Sequence, residues 1–361
     1  MSPESLLVTG RPVITIDGRE ESALAIDCIR LETAEDAAGV ARLEGVFLNF
    51  GQAEGAAAPG YVHFDRAKLD YGKRIAIAFI TGERSETVFE GTINAIGASY
   101  PNERPPELTL LAEDTLARLR LERRSRVFED LDDAAILRRI AEDAGITPQL
   151  DLSGPTHAQR WQVGQSELDL LRERAEALDA RLLLRDGTLT ARTRSDGTPP
   201  IPLSYRNELT RFEVRADLAE QRTAVRVHGW DVAAKQAIHA EAGPDAARAV
   251  AEAAGRTGPE ALQAAWREAP EDLHLELPAT EAEAQRLAEA RMQARARRFL
   301  TGHGTTRGTP TLRPGGRAEL LDLGPWFSGV WEVTSVRHCF DQAAGYSTEF
   351  TACRAALEPG A

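Results

Sequence analysis

The chain has three cysteines in 361 residues, Cys28, Cys339 and Cys353, and no C-x-x-C spacing. An odd count without that spacing argues against a disulfide framework and a zinc site. Cys339 and Cys353 fall on the two arms of one expected hairpin, with its turn near Asp341–Ala344. That register sets Cys339 opposite about Tyr346, far from Cys353, and all three cysteines read as small core residues. Positive charge is also short: 43 Lys and Arg stand against 56 Asp and Glu, a formal net charge of −13. Lys68, Lys73 and Lys235 are the lysines, and the other cations are arginines. A nucleic-acid groove needs clustered positive charge, so no tight nucleic-acid binding is expected. No apolar run approaches the roughly 20 residues that span a bilayer, so no membrane insertion is expected. The start, Met1-Ser-Pro-Glu-Ser-Leu-Leu, lacks the basic region and apolar core of a signal peptide. Synthesis and first use in the cytoplasm follow.

Recognisable catalytic patterns are missing too. His63, His157, His228, His239, His274, His303 and His338 show no H-E-x-x-H and no two-His-plus-carboxylate spacing. His338 adjoins Cys339, but neighbours on a strand point to opposite faces and cannot share a proton. Gly302-His-Gly304-Thr-Thr-Arg-Gly308 has the look of a phosphate loop, yet helical pattern precedes it and strand pattern follows, the reverse of a dinucleotide site. Gly164-Gln-Ser166-Glu-Leu lacks the second glycine of a nucleophile elbow. The acidic run Glu129-Asp130 and Asp132-Asp133 reads as charge at a helix N-terminus. No catalytic, cofactor-binding or metal residue is singled out, no cofactor is expected, and the chain reads as not an enzyme.

What the sequence does have is an internal repeat. Residues 72–112 contain G-K-R-I-A-I, V-F-E-G-T-I-N-A-I and E-L-T-L-L-A; residues 315–352 contain G-G-R-A-E-L, W-F-S-G-V-W-E-V-T-S-V and Y-S-T-E-F-T-A. Arg74 and Arg317 open the two copies. Phe89 with Gly91, and Phe327 with Gly329, form a Phe-x-Gly turn before a long alternating strand. Gly345 and Tyr346 begin the closing strand of the second copy. Two copies of one β unit point to a pseudo-symmetric shell.

Around the repeat, alternating runs at Arg11–Ile16, Leu24–Leu31, Ala41–Phe50, Ile75–Phe79, Val88–Ala98 and Leu108–Leu111 predict strands of a barrel or sandwich. Near residue 125 the period changes. Asp132 or Asp133 caps a helix carrying Ile136, Leu137, Ile140, Ala141 and Ala144, stopped by Gly145. Ser166 caps a second helix with Leu168, Leu171, Ala175 and Leu178 on one stripe. Arg181–Arg185 and Thr188–Arg192 flank Asp186-Gly187, a hairpin signal, and Asp196-Gly-Thr-Pro-Pro200 marks the exit. Phe212–Arg215, Ala224–His228 and Lys235–Ala240 begin a second β region, interrupted by a helical insertion over about 241–270. Thr280-x-x-Glu283 opens a helix that turns Ala284, Leu287, Ala288, Met292, Ala296 and Phe299 to the core. The domains expected are a first β unit at 1–125, completed by about 197–208, an α/β insert at 126–196 and a second β unit at 209–361.

Several stretches together resemble the phage late control protein D family, the baseplate hub proteins of contractile tails. They are Leu312-x-Pro314-Gly-x-x-Ala-x-Leu, Phe327-Ser-Gly329-Val-Trp331-x-Val-Thr-Ser-Val-x-His338, Gly345-Tyr346-Ser-Thr348-x-Phe350, Glu167-Leu-Asp-Leu-Leu-x-Glu-Arg-Ala-Glu, Leu182-Leu-Leu, Asp186-Gly-x-Leu and Val225-x-Val-x-Gly229-Trp230-Asp231. The resemblance spans roughly residues 25–356. It implies a mainly β fold with two tube-type antiparallel β-barrel domains related by pseudo-symmetry, plus a small α/β domain. It further implies a homotrimer, a ring that adapts a six-fold tail tube to a three-fold spike. The partners implied are the tail tube protein, a spike protein and other baseplate proteins, in the virion tail or injection particle after cytoplasmic assembly. The sequence ends at Ala361, without the needle of the related type VI spike proteins and without a lysozyme domain, so the spike is expected to be a separate polypeptide. Alternatives are the hub of an extracellular contractile injection system or a type VI-like apparatus and, from other classes, a tail-associated cell-wall-degrading enzyme or a carbohydrate-binding β protein.

Overall fold

The computed structural model describes residues 10–359 apart from 38, 53–56, 83, 194–196 and 275–277. Asp196, assigned above to the insert's exit, and the first nine residues lie outside the described residues.

The first β unit contains β1 (Val13–Ile16), β2 (Arg19–Glu20), a short helix α1 (Ser22–Ile26), β3 (Cys28–Asp36), β4 (Arg42–Leu48), β5 (Arg74–Thr81), β6 (Arg84–Ser99) and β7 (Glu107–Glu113). Period-2 alternation drives burial on one face, as in β5, where Ile75, Ile77 and Phe79 are buried. One expected strand is corrected: Leu24 sits on α1, a helical turn that drops it into the core, and the strand begins at Cys28.

The α/β insert follows as β8 (Arg123–Asp132), α2 (Asp133–Asp143), β9 (Thr147–Asp151), β10 (Thr156–Ser166), α3 (Glu167–Ala177), β11 (Arg181–Arg185) and β12 (Thr188–Arg192). Its helices start where their caps predict. The Asp132 carboxylate accepts from the Ala135 amide at 2.7 Å, and the Ser166 hydroxyl accepts from the Asp169 amide at 3.1 Å. Asp186 and Gly187 both have positive φ, 48° and 71°, the pair of angles a tight two-residue hairpin requires. Ile136, Leu137, Ile140, Leu171, Leu182 and Leu189 belong to a core of the insert's own.

The rest of the chain forms β13 (Ile201–Ser204), β14 (Leu209–Ala216), β15 (Ala224–Asp231), β16 (Gln236–Ala242), α4 (Pro244–Arg248), α5 (Gly258–Trp266), β17 (Pro270–Leu273), α6 (Glu281–Arg297), β18 (Leu300–Thr306), β19 (Arg317–Leu321), α7 (Gly324–Phe327), β20 (Gly329–Asp341) and β21 (Gly345–Arg354). Two expectations are corrected here. The segment 197–208 does not complete the first unit: β13 pairs with β19, and Leu203 lies in the second unit's core. The runs Ala224–His228 and Lys235–Ala240 do not join the main sheet either. They form a separate three-stranded sheet, β16-β15-β17, whose apolar face packs on α6 through Val225, Val227, Ile238, Leu287 and Met292.

The remaining strands make one 13-stranded sheet. Its main path runs β14-β18-β21-β20-β3-β4-β7-β6-β5-β1-β2, with β19 beside β20 and β13 beside β19. The chain is therefore mainly β with an α/β insert, and its two β units are halves of a single open sheet joined where β20 meets β3. Among the described residues no helix is long and apolar enough to cross a membrane.

Candidate functional site

The repeat is visible in the strand pairing. In the first unit β5, β6 and β7 form a meander, β7 pairs with β4, and β4 with β3. In the second unit β19, β20, β21, β18 and β14 pair in the same order, all antiparallel. The irregularities also coincide. The β6–β7 ladder slips between Ile93 and Ala95, and the β20–β21 ladder slips between Val333 and Ser335. The β3–β4 ladder slips between Cys28 and Arg30, and the β14–β18 ladder between Leu209 and Arg211. Bulges fix register and twist, so two shared bulges identify equivalent positions. Thr92, opposite Arg74 and Glu113, corresponds to Glu332, opposite Arg317 and Cys353.

This register corrects the sequence alignment of the motif by two residues. Arg74 and Arg317 do open equivalent strands. Phe89 and Gly91, however, lie in the middle of β6, while Phe327 ends α7 and Gly329 begins β20 with a φ of 119°. Phe89 is equivalent to Gly329, and Gly91 to Trp331. The hairpin before β6 turns instead at Gly82, with a φ of 61°. Gly345, with a φ of 82°, makes the turn into β21.

Tyr346 lies at the junction between the units. Its ring stacks on Phe79 of the first unit with centroids 3.7 Å apart, and both belong to the first unit's core together with Phe340. The seam itself pairs Ser335–Asp341 of β20 with Asp36–Arg30 of β3. On its outer face Arg337 bridges to Glu32 and, at 3.0 Å, to Glu349. On its inner face His338 is buried, with Nδ1 2.8 Å from the Tyr346 hydroxyl and 3.2 Å from that of Thr348. Burial, aided by the Arg313 charge, holds its pKa well below the ordinary histidine value, so it sits there neutral. The ring faces away from Cys339, which pairs with Ser347, one residue beyond the expected Tyr346. Burial pushes the thiols of Cys28 and Cys353 up to about 12 and that of Cys339 to about 11, so none is a ready nucleophile at neutral pH.

Two other ionisable clusters tie the insert to the second unit. Glu332 of β20 takes Arg181 of β11 at 2.6 Å and Arg297 of α6 at 3.1 Å, and Asp179 binds both arginines. His157 of β10 lies between the Asp133 carboxylate, 3.1 Å from Nε2, and the Glu283 carboxylate, 2.6 Å from Nδ1. These two carboxylates raise its pKa to about 9, so at neutral pH an imidazolium pins the insert to α6. Sequence spacing could not find this cluster, because its members come from three elements and both main parts of the chain.

A cleft of about 570 Å³ lies between β5–β6 and the β11–β12 hairpin and is lined by residues that include Glu35, Arg74, Asp114, Arg185 and Arg313. Burial raises the pKa of Glu35, and raises that of Asp114 to about 7. Asp114 already accepts from the amides of Ala41, at 2.8 Å, and Leu116, at 2.9 Å, which makes it the cap of a 3-10 turn at Thr115–Arg120. The Arg313 guanidinium donates to the carbonyls of Val88 and Thr87. Both groups are thus engaged with backbone. Gly302 and Gly304, the pseudo phosphate loop, lie on β18 against the rings of Phe212 and Phe350, where a side chain would collide. Among the described residues no three His, Cys, Asp or Glu side chains are grouped to hold a metal ion.

The fold is shared with tail proteins. A 43 kDa tail protein of prophage MuSo2 from Shewanella oneidensis superposes with a TM-score of 0.68 at 14% identity, over 95% of this chain and 98% of its own. A tail protein from Neisseria meningitidis MC58 gives 0.67 at 14% identity, over 95% and 96%. An Escherichia coli component of the type VI secretion system, described as structurally similar to bacteriophage T4 tail proteins, gives 0.59 at 12% identity, over 93% and 75%. Among curated proteins nothing matches the sequence. The family model described as the Alg8 N-terminal domain matches residues 60–342, and the chain belongs to that family.

Proposed function

We propose that the chain is a non-enzymatic structural hub of a contractile tail or tail-derived particle, a homotrimeric ring that adapts a six-fold tube to a three-fold spike. The observation that carries this reading is the duplication: one chain supplies two equivalent β units, so three chains supply six. The likeness in fold to two tail proteins supports it. The partners are then the tube protein above, a spike protein below and other baseplate proteins, with assembly in the cytoplasm and final residence in the particle. The similarity to the Escherichia coli secretion component favours a second reading, in which the same ring serves a type VI-like or extracellular injection apparatus. The late control protein D resemblance belongs to the first reading.

Co-expression with the spike protein followed by native mass measurement tests the ring: three copies are expected, and a stable monomer or dimer in the presence of the spike refutes it. A peptidoglycan-cleavage assay separates the hub from a cell-wall-degrading enzyme, with no activity expected. A DNA titration at physiological salt is expected to show no tight binding.

A further inference from the structure

The internal seam has two halves, and the repeat leaves each half's counterpart open. β20 is divided along its length: residues 329–332 pair with β19, and residues 335–341 pair, on the same side, with β3. Its equivalent β6 pairs with β5 only as far as Thr92, so on that side the stretch from Ala95 onward has no strand partner among the described residues. The equivalent of β3 is β14, which ends the sheet with β18 as its only ladder partner among the described residues. One chain therefore carries both halves of a second seam, at opposite ends of its sheet.

We propose that β14 of a second copy of this chain pairs antiparallel with Ala95–Pro101, in the register of the internal seam. The proposal rests on the ring reading and names its contact. Carrying the β20–β3 pairs over by the bulge-defined equivalences sets Ile96 opposite Ala216, Ala98 opposite Val214, Ser99 opposite Glu213 and Tyr100 opposite Phe212. The side chains match in kind. Ile96 and Ala98 pair across β7 with the buried Leu110 and Leu108, so they sit on the core face. Phe212 and Val214 likewise pack on the second unit's core. An apolar row thus meets an apolar row, while Ser99 and Glu213 face outward, as Cys339 and Glu32 do in the internal seam.

The aromatic end of the strand gives an independent argument. Tyr100 is equivalent to Phe340, which is 6% exposed because it is buried across the internal seam, yet Tyr100 is 61% exposed. It lies in an exposed cluster with Tyr61, Phe50 and Phe64, ring centroids 5.1 to 6.4 Å from Tyr61. An exposed aromatic patch beside an unpaired strand edge is what a protein interface leaves open when its partner is removed. Head-to-tail use of this contact is heterologous, the kind that generates a ring where the rotation between copies closes.

The test uses the full chain, co-expressed with the spike protein as above, carrying Ala98→Cys together with Val214→Cys. Oxidation is expected to link neighbouring copies into a ladder ending at the ring, and neither single variant is expected to cross-link. Ala98→Lys, at a site solvent-exposed in the single chain, is expected to weaken self-association at least tenfold with unchanged melting. Ser99→Lys, opposite Glu213, is expected to assemble normally. A ring that forms without the 98–214 cross-link, or that survives Ala98→Lys, overturns this seam and leaves the ring reading standing. A chain that never assembles overturns both.

Discussion

The two β units share a pairing scheme and two bulges, yet they distribute bulk in opposite ways. In the first, Phe89 and Gly91 lie along β6, opposite Ile77 and Ile75. In the second, the same positions hold Gly329 and Trp331, opposite Leu320 and Ala318. Three of these four cross-strand pairs set a small residue against a large one: Gly91 faces Ile75, Trp331 faces Ala318 and Gly329 faces Leu320. The backbone scheme is thus a constraint that more than one packing satisfies, in keeping with cores that tolerate substitution when total volume is kept.

Trp331→Ala should have the largest effect. The ring is fully buried, its indole N–H donates to the Phe327 carbonyl at 3.0 Å, and the Arg354 guanidinium lies over it. A loss of about 3–5 kcal/mol is expected in denaturant unfolding. A loss below 1 kcal/mol would show that the second unit can collapse around the vacancy.

The second unit also differs in what it holds. Between β14 and β18 it carries α6, and α6 is pinned to the insert by His157. Because the folded pKa of His157, about 9, lies above its unfolded value near 6.5, the stabilisation is complete below about pH 6.5 and is lost as pH rises through 9. On the order of 2 kcal/mol is at stake. Melting followed from pH 6 to 10 should show this fall, and His157→Gln should flatten it; the same slope in the variant would assign the dependence elsewhere. Asp133, Glu173, Glu283, Arg160, Arg174 and Arg286 are the charged groups lining that site with it.

Gly329→Val and Gly91→Ala compare the inverted positions directly. Gly329 has a φ of 119°, and a Cβ there would lie 2.5 Å from the Glu358 carboxylate, so strain of about 1–3 kcal/mol is expected. Gly91 has no such backbone demand, but its Cβ would lie 2.5 Å from the Glu113 carbonyl oxygen and from the Phe89 ring, with a cost of about 1–3 kcal/mol through overpacking. Adding Phe89→Leu should relieve part of the Gly91→Ala cost and none of the Gly329→Val cost; equal behaviour in the double variants would mean that the two glycines do the same job. Tyr346→Phe should be the mildest change, about 0.5–1.5 kcal/mol, because it keeps the stack on Phe79 and removes the hydroxyl beside His338. A null result there would leave the seam's stability to ring packing alone.

Local chemistry made much of this fold readable. The caps at Asp132, Ser166 and Thr280, the Asp186-Gly187 hairpin and the apolar stripe of α6 all follow from residues close in sequence. The repeat was readable as a pattern, but its register was not. A Phe-x-Gly match attracts the eye to side chains, whereas equivalence is set by bulges, which are properties of the backbone. The placement of β15–β17 was hidden for a related reason. An alternating strand declares which face is buried and says nothing about which sheet it joins. Tyr346 was singled out as a repeat residue, but its partner Phe79 is far away in sequence, so its place at the junction emerged only from the pairing of β20 with β3. His157 and the Ala95–Pro101 edge left no motif, since each depends on elements brought together from distant parts of the chain.

The pairing of β20 with β3 also has a mechanical side. Seven residue pairs join the two units through backbone hydrogen bonds. A pull along the strands loads all of them together in shear, and they must fail as a group. A pull across the strands peels them one at a time. The same contact is therefore stiff in one direction and compliant in the other, and the tilt of its strands to the direction of an applied force decides how much load the two units bear together before they part.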